Sequence, residues 1–302
     1  MIKNHNFKDL MWVDLESPTT EELEKIGSEY NINPLIVSEL SRPSDRTKVD
    51  LYKNSIYLIL KFPKHAMGAG KTESTEIDFV VGKNYLITTH YDTVNSMVKF
   101  SKIFETNSLL NKLNLENGGH IFFYLTKKIY EEMEEELAII GEKLQDTESM
   151  VFGDNGTEAL ERLSKLNKEL IDFRRTMRTH KEVFRSFEKA AVEFFGREIS
   201  FYTTNILGSY ERVWHLLVSN KEILMDLRQT SDSLFTAKTN SVVRTLTVLT
   251  FITIPLSIIA TFGQNAVHTP LVGRDNDFWI IIGLMIFTAF TMFTVFKNKK
   301  WL

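Results

Sequence analysis

Two long apolar stretches stand near the end of the sequence, at residues 242–262 and 278–296. The first contains a single charge, Arg244, close to its start, and the second contains none. Each is close to the ~20 residues that an α-helix needs to cross the hydrocarbon core of a bilayer. The pattern therefore predicts two membrane-spanning helices joined by a short connector at residues 263–277.

Basic residues mark the side of the membrane on which the flanks of these two stretches lie. The connector carries only Arg274 as a fixed positive charge. The other flanks carry Arg228, Lys238, Arg244, Lys297, Lys299 and Lys300. Because Lys and Arg concentrate in cytoplasmic loops, both termini are expected in the cytoplasm and the connector outside. The first residues have no long apolar run of the kind found in a signal peptide.

One face of the first apolar stretch carries polar groups at helical spacing. Steps of three and four residues give Asn240, Val243, Thr247, Thr250, Ile254, Ser257 and Thr261, here called the polar stripe. Such a stripe is favourable on a helix that lines a narrow water-filled pore, because its polar groups can bond to water, whereas a helix surrounded by lipid has no such partners. The alternative is that the hydroxyls bond to carbonyls one turn earlier, as Ser and Thr often do in membrane helices. Periodicity alone leaves both interpretations open.

Residues 1–100 predict an α/β domain. Thr19 and Glu22 have the spacing of a capping box at the start of one helix, and Asn33 followed by Pro34 starts a second. Runs rich in β-branched and aromatic residues predict strands at 11–15, 55–62, 76–81 and 85–89.

Residues 101–196 predict a long helical hairpin, interrupted at residues 117–119 and 153–156. A stalk helix is expected over residues 197–262, with about 242–262 inside the membrane, because no Gly or Pro occurs between Ser209 and Pro255. Its apolar positions suggest a heptad seam for contacts between copies of the chain. The seam residues are Val213, Leu216, Asn220, Ile223, Leu227, Thr230 and Leu234.

Composition excludes several classes of site. The chain has 302 residues and no Cys, so neither disulfides nor thiolate metal sites form. Residues 236–302 hold six Lys and Arg against two Asp, a balance of +4, which leaves −7 for residues 1–235 because the whole chain carries −3. An acidic body argues against nucleic acid and suits contact with cations.

Two local motifs have ordinary explanations. Residues 68–72 resemble the end of a P-loop, but His65 stands where the pattern needs Gly, and a strand rather than a helix follows. A hairpin loop is the better interpretation. The Glu-rich run at residues 131–136 predicts either a solvated helix face or a surface that concentrates divalent cations. No His pair has metal-ligand spacing and no nucleophile–base set stands out, so an enzyme is not expected.

The chain resembles the CorA family of divalent cation channels over essentially its whole length. That family ends its first transmembrane helix in Gly-Met-Asn, where this chain has Gly263, Gln264 and Asn265. The inner-end pair Thr239 and Asn240, the closing Lys-Lys-Trp-Leu at residues 299–302 and the early Trp-Val-Asp-Leu at residues 12–15 are also similar.

The resemblance implies a homopentameric funnel in a prokaryotic inner membrane, in which five first helices surround a pore through the lipid bilayer. Mg²⁺ would be both the transported ion and the regulatory ion, bound between subunits at acidic residues. Asn265 would meet the hydrated ion in an external ring that Gly263 and Gln264 shape, and Asn240 would contact ions at the inner end. The implied pore lining is Asn240, Val243, Leu246, Thr247, Thr250 and Ile254.

Three departures from the family pattern leave the ion preference open. Gln264 replaces Met, the segment from Pro255 to Gly263 is one residue shorter than usual, and His268 stands where an acidic residue is common. Zn²⁺, Co²⁺ or Ni²⁺ is therefore an alternative cargo. A zinc- or proton-coupled carrier similar to ZntB, and a membrane-tethered oligomeric sensor or scaffold without a pore, are the alternative functions.

Overall fold

The computed structural model describes residues 2–44, 46–63, 74–92, 94–104, 115–153, 156–265, 277–299 and 301. The chain divides into two compact units, Met1–Arg228 and Gln229–Leu302. The first unit contains a mixed sheet and most of the helices. The second contains the two apolar helices.

A six-stranded sheet forms the centre of the first unit. Its strands are β1 (Ile2–Phe7), β2 (Leu10–Glu16), β3 (Lys48–Leu51), β4 (Ser55–Pro63), β5 (Ser74–Gly82) and β6 (Tyr85–His90). They lie in the order β1-β2-β6-β5-β4-β3, and only β2 and β6 run parallel. The four predicted strands are confirmed. The two that sequence patterns missed, β1 and β3, are the short edge strands, which bury fewer side chains and therefore show a weaker apolar pattern.

Two short helices, α1 (Thr20–Glu29) and α2 (Pro34–Glu39), cover one face of the sheet. The capping box of α1 is confirmed, because Glu22 N donates to Thr19 Oγ1 at 3.2 Å and Thr19 N donates to Glu22 Oε2 at 2.9 Å. Asn33 caps α2 by accepting from Leu35 N at 2.9 Å, as predicted. Leu23, Ile26, Ile36 and Leu40 then pack on Val13, Leu15, Tyr57, Ile59, Val80 and Ile87.

Further helices pack on the opposite face of the sheet. They are α3 (Asn95–Phe104), α4 (Gly118–Phe152), α5 (Gly156–Met177) and α6 (His180–Phe195), followed by a 3₁₀ turn (Arg197–Ile199) and α7 (Ser200–Asn265). The predicted hairpin corresponds to α4 and α5. The prediction missed a further break, just before His180, where no Gly or Pro marks it.

The break before α6 places His180 in the core. Its side chain is fully buried, with Nε2 2.7 Å from Lys61 O and Nδ1 2.5 Å from Tyr130 Oη. Burial lowers the pKa of His180 to about 4, so the ring is neutral, with Nε2–H donating to the carbonyl and Nδ1 accepting from the tyrosine. One imidazole thus joins β4, α4 and α6.

The start of α4 lies directly against the turn between β5 and β6. Gly118 N donates to Lys83 O at 2.9 Å. A Cβ at position 118 would lie 2.2 Å from Tyr85 O and 2.3 Å from Gly82 O. Both neighbours are backbone atoms that cannot rotate away, so only glycine fits here.

The buried face of α7 in the first unit differs from the predicted heptad seam. Between residues 213 and 228 its buried positions are Val213, Leu217, Asn220, Leu224 and Leu227. Ile223, which the seam predicted as a contact, is 39% exposed. The buried face packs inside its own unit, where Asn220 Nδ2 donates to Leu137 O of α4 at 2.7 Å. Val213, Asn220 and Leu227 of the predicted seam therefore pack within the chain, and contact between copies stays a prediction for the seam residues that are exposed, such as Ile223 and Leu234.

The second unit contains the rest of α7 and α8 (Asp277–Asn298). Both helices are long and apolar enough to cross a membrane, and their apolar side chains are mostly exposed. The rings of Phe251 and Phe296, 6.1 Å apart, bring the two helices together. Helix α7 continues through Asn265, so the Gly263–Asn265 triplet ends the helix and does not lie in the connector as expected.

Candidate ion path along the first apolar helix

The polar stripe lies on the side of α7 away from α8. Val248 is buried, and Ile252, Leu256 and Ile259 are half-buried, on one side of the helix. Since α8 is the other helix described in this unit, this is the side that it covers. At about 100° per residue, Thr247, Thr250 and Ile254 point to the opposite half of the helix. Among the described residues, Asn240, Val243, Leu246, Thr250 and Ile254 are exposed and Thr247 is half-buried, so most of the predicted pore-lining face is uncovered within one chain.

Every hydroxyl of the polar stripe bonds to the carbonyl one turn earlier. Thr247 Oγ1 donates to Val243 O at 2.7 Å, and Thr250 Oγ1 donates to Leu246 O at 2.8 Å. Ser257 and Thr261 form the same bonds, at 3.0 and 2.8 Å. The local-bonding interpretation of the sequence is thus confirmed. Thr245 and Thr253, which lie off the stripe, bond in the same way, so this bond does not by itself mark a pore.

The local bonds also fix what the stripe offers to a passing ion. A hydroxyl whose hydrogen is held by a backbone carbonyl presents only its oxygen lone pairs, which accept hydrogen bonds. The water molecules around a cation point their hydrogens outward. A row of acceptors therefore suits a hydrated cation, and local bonding is compatible with a pore.

The end of the stripe at Asn240 changes from polar to apolar within one turn. Asn240 is exposed on α7, and Val243 and Leu246 follow it with more than half of each side chain exposed. Repeated around an axis, this sequence would give an amide ring followed by a hydrophobic constriction. At the opposite end, the side chains of Gly263, Gln264 and Asn265 lie outside the described residues, as does His268.

Several carboxylates of the Glu-rich run on α4 are neutralised inside the chain. Glu132 accepts from Lys99 Nζ at 2.7 Å and from Ser96 Oγ. Glu131 pairs with Lys128 at 3.0 Å, and Glu134 lies 3.9 Å from Arg212. Burial, with Glu132 nearby, raises the pKa of Glu136 to about 7. No group of three or more His, Cys, Asp or Glu that could hold a metal ion occurs in the part of the chain that the structure describes.

Two buried polar clusters in the sheet had no sequence signal. Asp14 accepts from Thr88 Oγ1 at 2.7 Å and lies 3.2 Å from His90 Nε2, while Trp12 Nε1 donates to Thr88 at 3.0 Å. Burial opposes the charged form of His90, but Asp14 raises its pKa above the usual value. These residues are far apart in the sequence and meet only because β2 pairs with β6.

The second cluster centres on Asp78 of β5. Its Oδ2 accepts from Tyr57 Oη at 3.1 Å, and the side chain is almost fully buried. Burial, followed by the charge of Glu76, raises the pKa of Asp78 to about 8. The predicted P-loop-like segment at residues 68–72 lies outside the described residues.

Comparison with known proteins places these features in a family. The model of the CorA-like Mg²⁺ transporter protein family matches residues 7–299. The cobalt/magnesium transport protein CorA of Methanocaldococcus jannaschii is 21% identical over 301 residues, which cover 98% of this chain and 93% of the relative. The protein of the same name from Thermotoga maritima is 21% identical over 303 residues, covering 96% and 83%.

Solved structures share the fold. The complete structure of the CorA magnesium transporter from M. jannaschii superposes with a TM-score of 0.82 at 19% identity, covering 98% of this chain and 93% of that one. The ZntB cytoplasmic domain from Vibrio parahaemolyticus gives 0.56 at 13% identity, covering 75% and 90%. Since the family model spans almost the entire sequence, this chain belongs to the CorA-like Mg²⁺ transporter family.

Proposed function

We propose that the chain forms a homopentameric channel that carries Mg²⁺ into the cytoplasm through the bilayer of a prokaryotic inner membrane. The observation that carries this proposal is the polar stripe, all of which except the half-buried Thr247 is exposed, on a helix long enough to span a membrane. Family membership supports it, as does the function of the relatives, which are cobalt and magnesium transport proteins. Asn240, Val243, Leu246, Thr247, Thr250 and Ile254 line the pore in this proposal.

Mg²⁺ suits a path lined by hydrogen-bond acceptors rather than by carboxylates. The ion gives up its water reluctantly, so a selective site has to recognise the hydrated ion. Amide oxygens of an Asn265 ring accept from the water shell without displacing it, whereas a carboxylate ring binds too tightly for rapid release. The membrane potential supplies ~4.6 kcal/mol per ~100 mV for two charges, so transport needs no ATP.

Cytoplasmic Mg²⁺ closes the channel in this proposal by binding between subunits. The described residues of one chain hold no carboxylate cluster that could bind a metal ion. The first 235 residues nevertheless carry a charge of −7. Carboxylates from neighbouring copies would complete such sites, and removing internal Mg²⁺ would then open the pore.

Uptake of ions into proteoliposomes tests the proposal. The purified protein is reconstituted at low internal Mg²⁺ with a fluorescent indicator, and Mg²⁺, Zn²⁺, Co²⁺ and Ni²⁺ are added in turn. If the wild-type protein takes up ions and the Asn265→Ala variant does not, the result supports both the channel and the external ring. Absence of uptake of any ion by well-folded oligomer would favour a tethered sensor or scaffold.

A zinc- or proton-coupled carrier is the second candidate, because Gln264 and His268 depart from the family pattern. A carrier of this kind would transport Zn²⁺ in preference to Mg²⁺, and its ion flux would change between about pH 5 and 8, where His titrates. A Mg²⁺ preference with flux independent of pH would exclude it.

A further inference from the structure

Helices α4, α5 and the first part of α7 form a three-helix bundle in the first unit. Leu137 and Leu144 of α4, Leu166 and Leu170 of α5, and Leu217 of α7 share one core. In a bundle of three helices, the groove between two of them lies across the bundle from the outer face of the third. The α5–α7 groove and the outer face of α4 therefore point in opposite directions.

The α5–α7 groove is apolar at its floor and basic at its edge. Leu170, Leu217 and Trp214 line it, together with Ile171 and Val218, which are 49% and 39% exposed. Its volume is about 270 Å³. Arg174 and Lys221 stand at its edge, with one carboxylate, Glu222. These residues, with Arg228, are called the basic groove below.

Positive charge is crowded at this groove. Burial lowers the pKa of Lys221, and the nearby charges of Arg174 and Arg228 lower it further. Lys221 Nζ donates to the neutral side chain of Asn167. Among the described residues, no carboxylate forms an ion pair with Arg174 or Arg228. Crowded cations beside exposed apolar side chains are complementary to a negatively charged surface with an apolar centre.

The outer face of α4 has this character. Glu135, Ile139, Glu142 and Asp146 follow one another at spacings of four, three and four, so they form one ridge, called the acidic ridge below. Ile139, at its centre, is 46% exposed. The three carboxylates are exposed and form no ion pair with the described residues. Lys143 is the cation at the edge of the ridge.

We propose that the acidic ridge of one copy of the chain docks into the basic groove of the next copy. The inference deepens the proposed channel, because it names the cytoplasmic surfaces that hold the homo-oligomer together. Ile139 covers Ile171 and Val218, while three carboxylates meet three cations. Because ridge and groove are different surfaces of the bundle, the contact is head-to-tail, and it closes into a ring when successive copies are rotated by a whole fraction of a full turn.

Disulfide cross-linking tests the contact without background, because the chain has no Cys. Oxidation of membranes that contain Ile139→Cys/Val218→Cys should give a ladder of covalent oligomers, from dimer to the complete ring. Ile139→Cys/Leu35→Cys is the matched control, since Leu35 is exposed on α2 across the sheet, and it should give no ladder. The proposal would be overturned if only the control gave a ladder or if neither variant gave one. It would also be overturned if the single substitution Ile139→Cys were enough to give covalent dimers.

Charge reversal tests the same contact in the folded protein. Glu142→Arg/Asp146→Arg and Arg174→Glu/Arg228→Glu should each reduce the oligomeric fraction at least tenfold in native mass spectrometry. Combining all four changes should restore it. If both reversals leave the oligomer intact, the surfaces do not meet. Ladder formation without ion uptake would refute only the channel, and uptake without a ladder would refute only this contact.

Discussion

Replacing the central hydroxyls of the polar stripe isolates what the stripe does. The double variant Thr247→Val/Thr250→Val removes two oxygens and keeps the size and shape of the side chains. Both hydroxyls donate to backbone carbonyls, at 2.7 and 2.8 Å, so their oxygens are left as acceptors. In an oligomer, each position contributes a ring of acceptors to the path of the ion.

The expected effect follows from the value of a hydrogen bond. Losing hydrogen bonds to the water shell of a cation costs about 1–2 kcal/mol for each ring. Two rings would raise the barrier by about 2–4 kcal/mol. Since about 1.4 kcal/mol changes a rate tenfold, Mg²⁺ flux should fall by about 30-fold to 1000-fold.

The matched control is Thr245→Val/Thr253→Val. These hydroxyls make the same bonds to carbonyls one turn earlier, at 3.0 and 2.8 Å, but lie off the stripe. Initial rates of Mg²⁺ uptake are measured for both double variants in proteoliposomes that contain equal amounts of oligomer. The control should retain wild-type flux. Equal flux in the two variants would refute the pore role of the stripe and leave the hydroxyls as structural groups.

Three further predictions concern Gly118, Asp78 and internal Mg²⁺. Gly118→Ala should lower the midpoint of thermal unfolding by several degrees, because its Cβ meets backbone oxygens, whereas Gly208→Ala, with open space around it, should not. For Asp78, the folded pKa of about 8 exceeds the ordinary 3.8, so the folded state binds more protons and loses stability as pH rises between these values. Asp78→Asn should therefore reduce the difference between unfolding midpoints at pH 5 and pH 8, and an unchanged difference would contradict the assignment. Chelating internal Mg²⁺ should raise uptake, and unchanged flux would count against regulation by that ion.

Local signals in the sequence were sufficient for many elements. The capping residues Thr19 and Asn33 act through neighbouring backbone groups, so their spacing predicted both helix starts. The spans at residues 242–262 and 278–296 were predicted because their length and apolar character follow from the bilayer, not from the rest of the fold. The polar stripe was predicted in the same way, from helical spacing alone.

The tertiary structure decided which side of a helix meets which neighbour. Val213, Asn220 and Leu227 fit two possible buried faces of α7. Periodicity alone did not decide whether Leu216 or Leu217 packs beside them. The structure buries Leu217, because the groove between α4 and α5 receives that face. Hydrophobic spacing records that a side is buried and does not identify the partner that buries it.

Contacts between distant segments were likewise beyond the sequence. His180, the first residue of α6, bonds to Lys61 O of β4, and Asp14 meets His90 only through the parallel pairing of β2 and β6. By itself, the sequence determined the membrane spans, the capped helices, the central strands and the composition of the candidate path, because each depends on residues within a few turns. The tertiary structure determined the buried polar clusters, the packed face of α7 and the uncovered side of the stripe, because each depends on which segments the fold brings together.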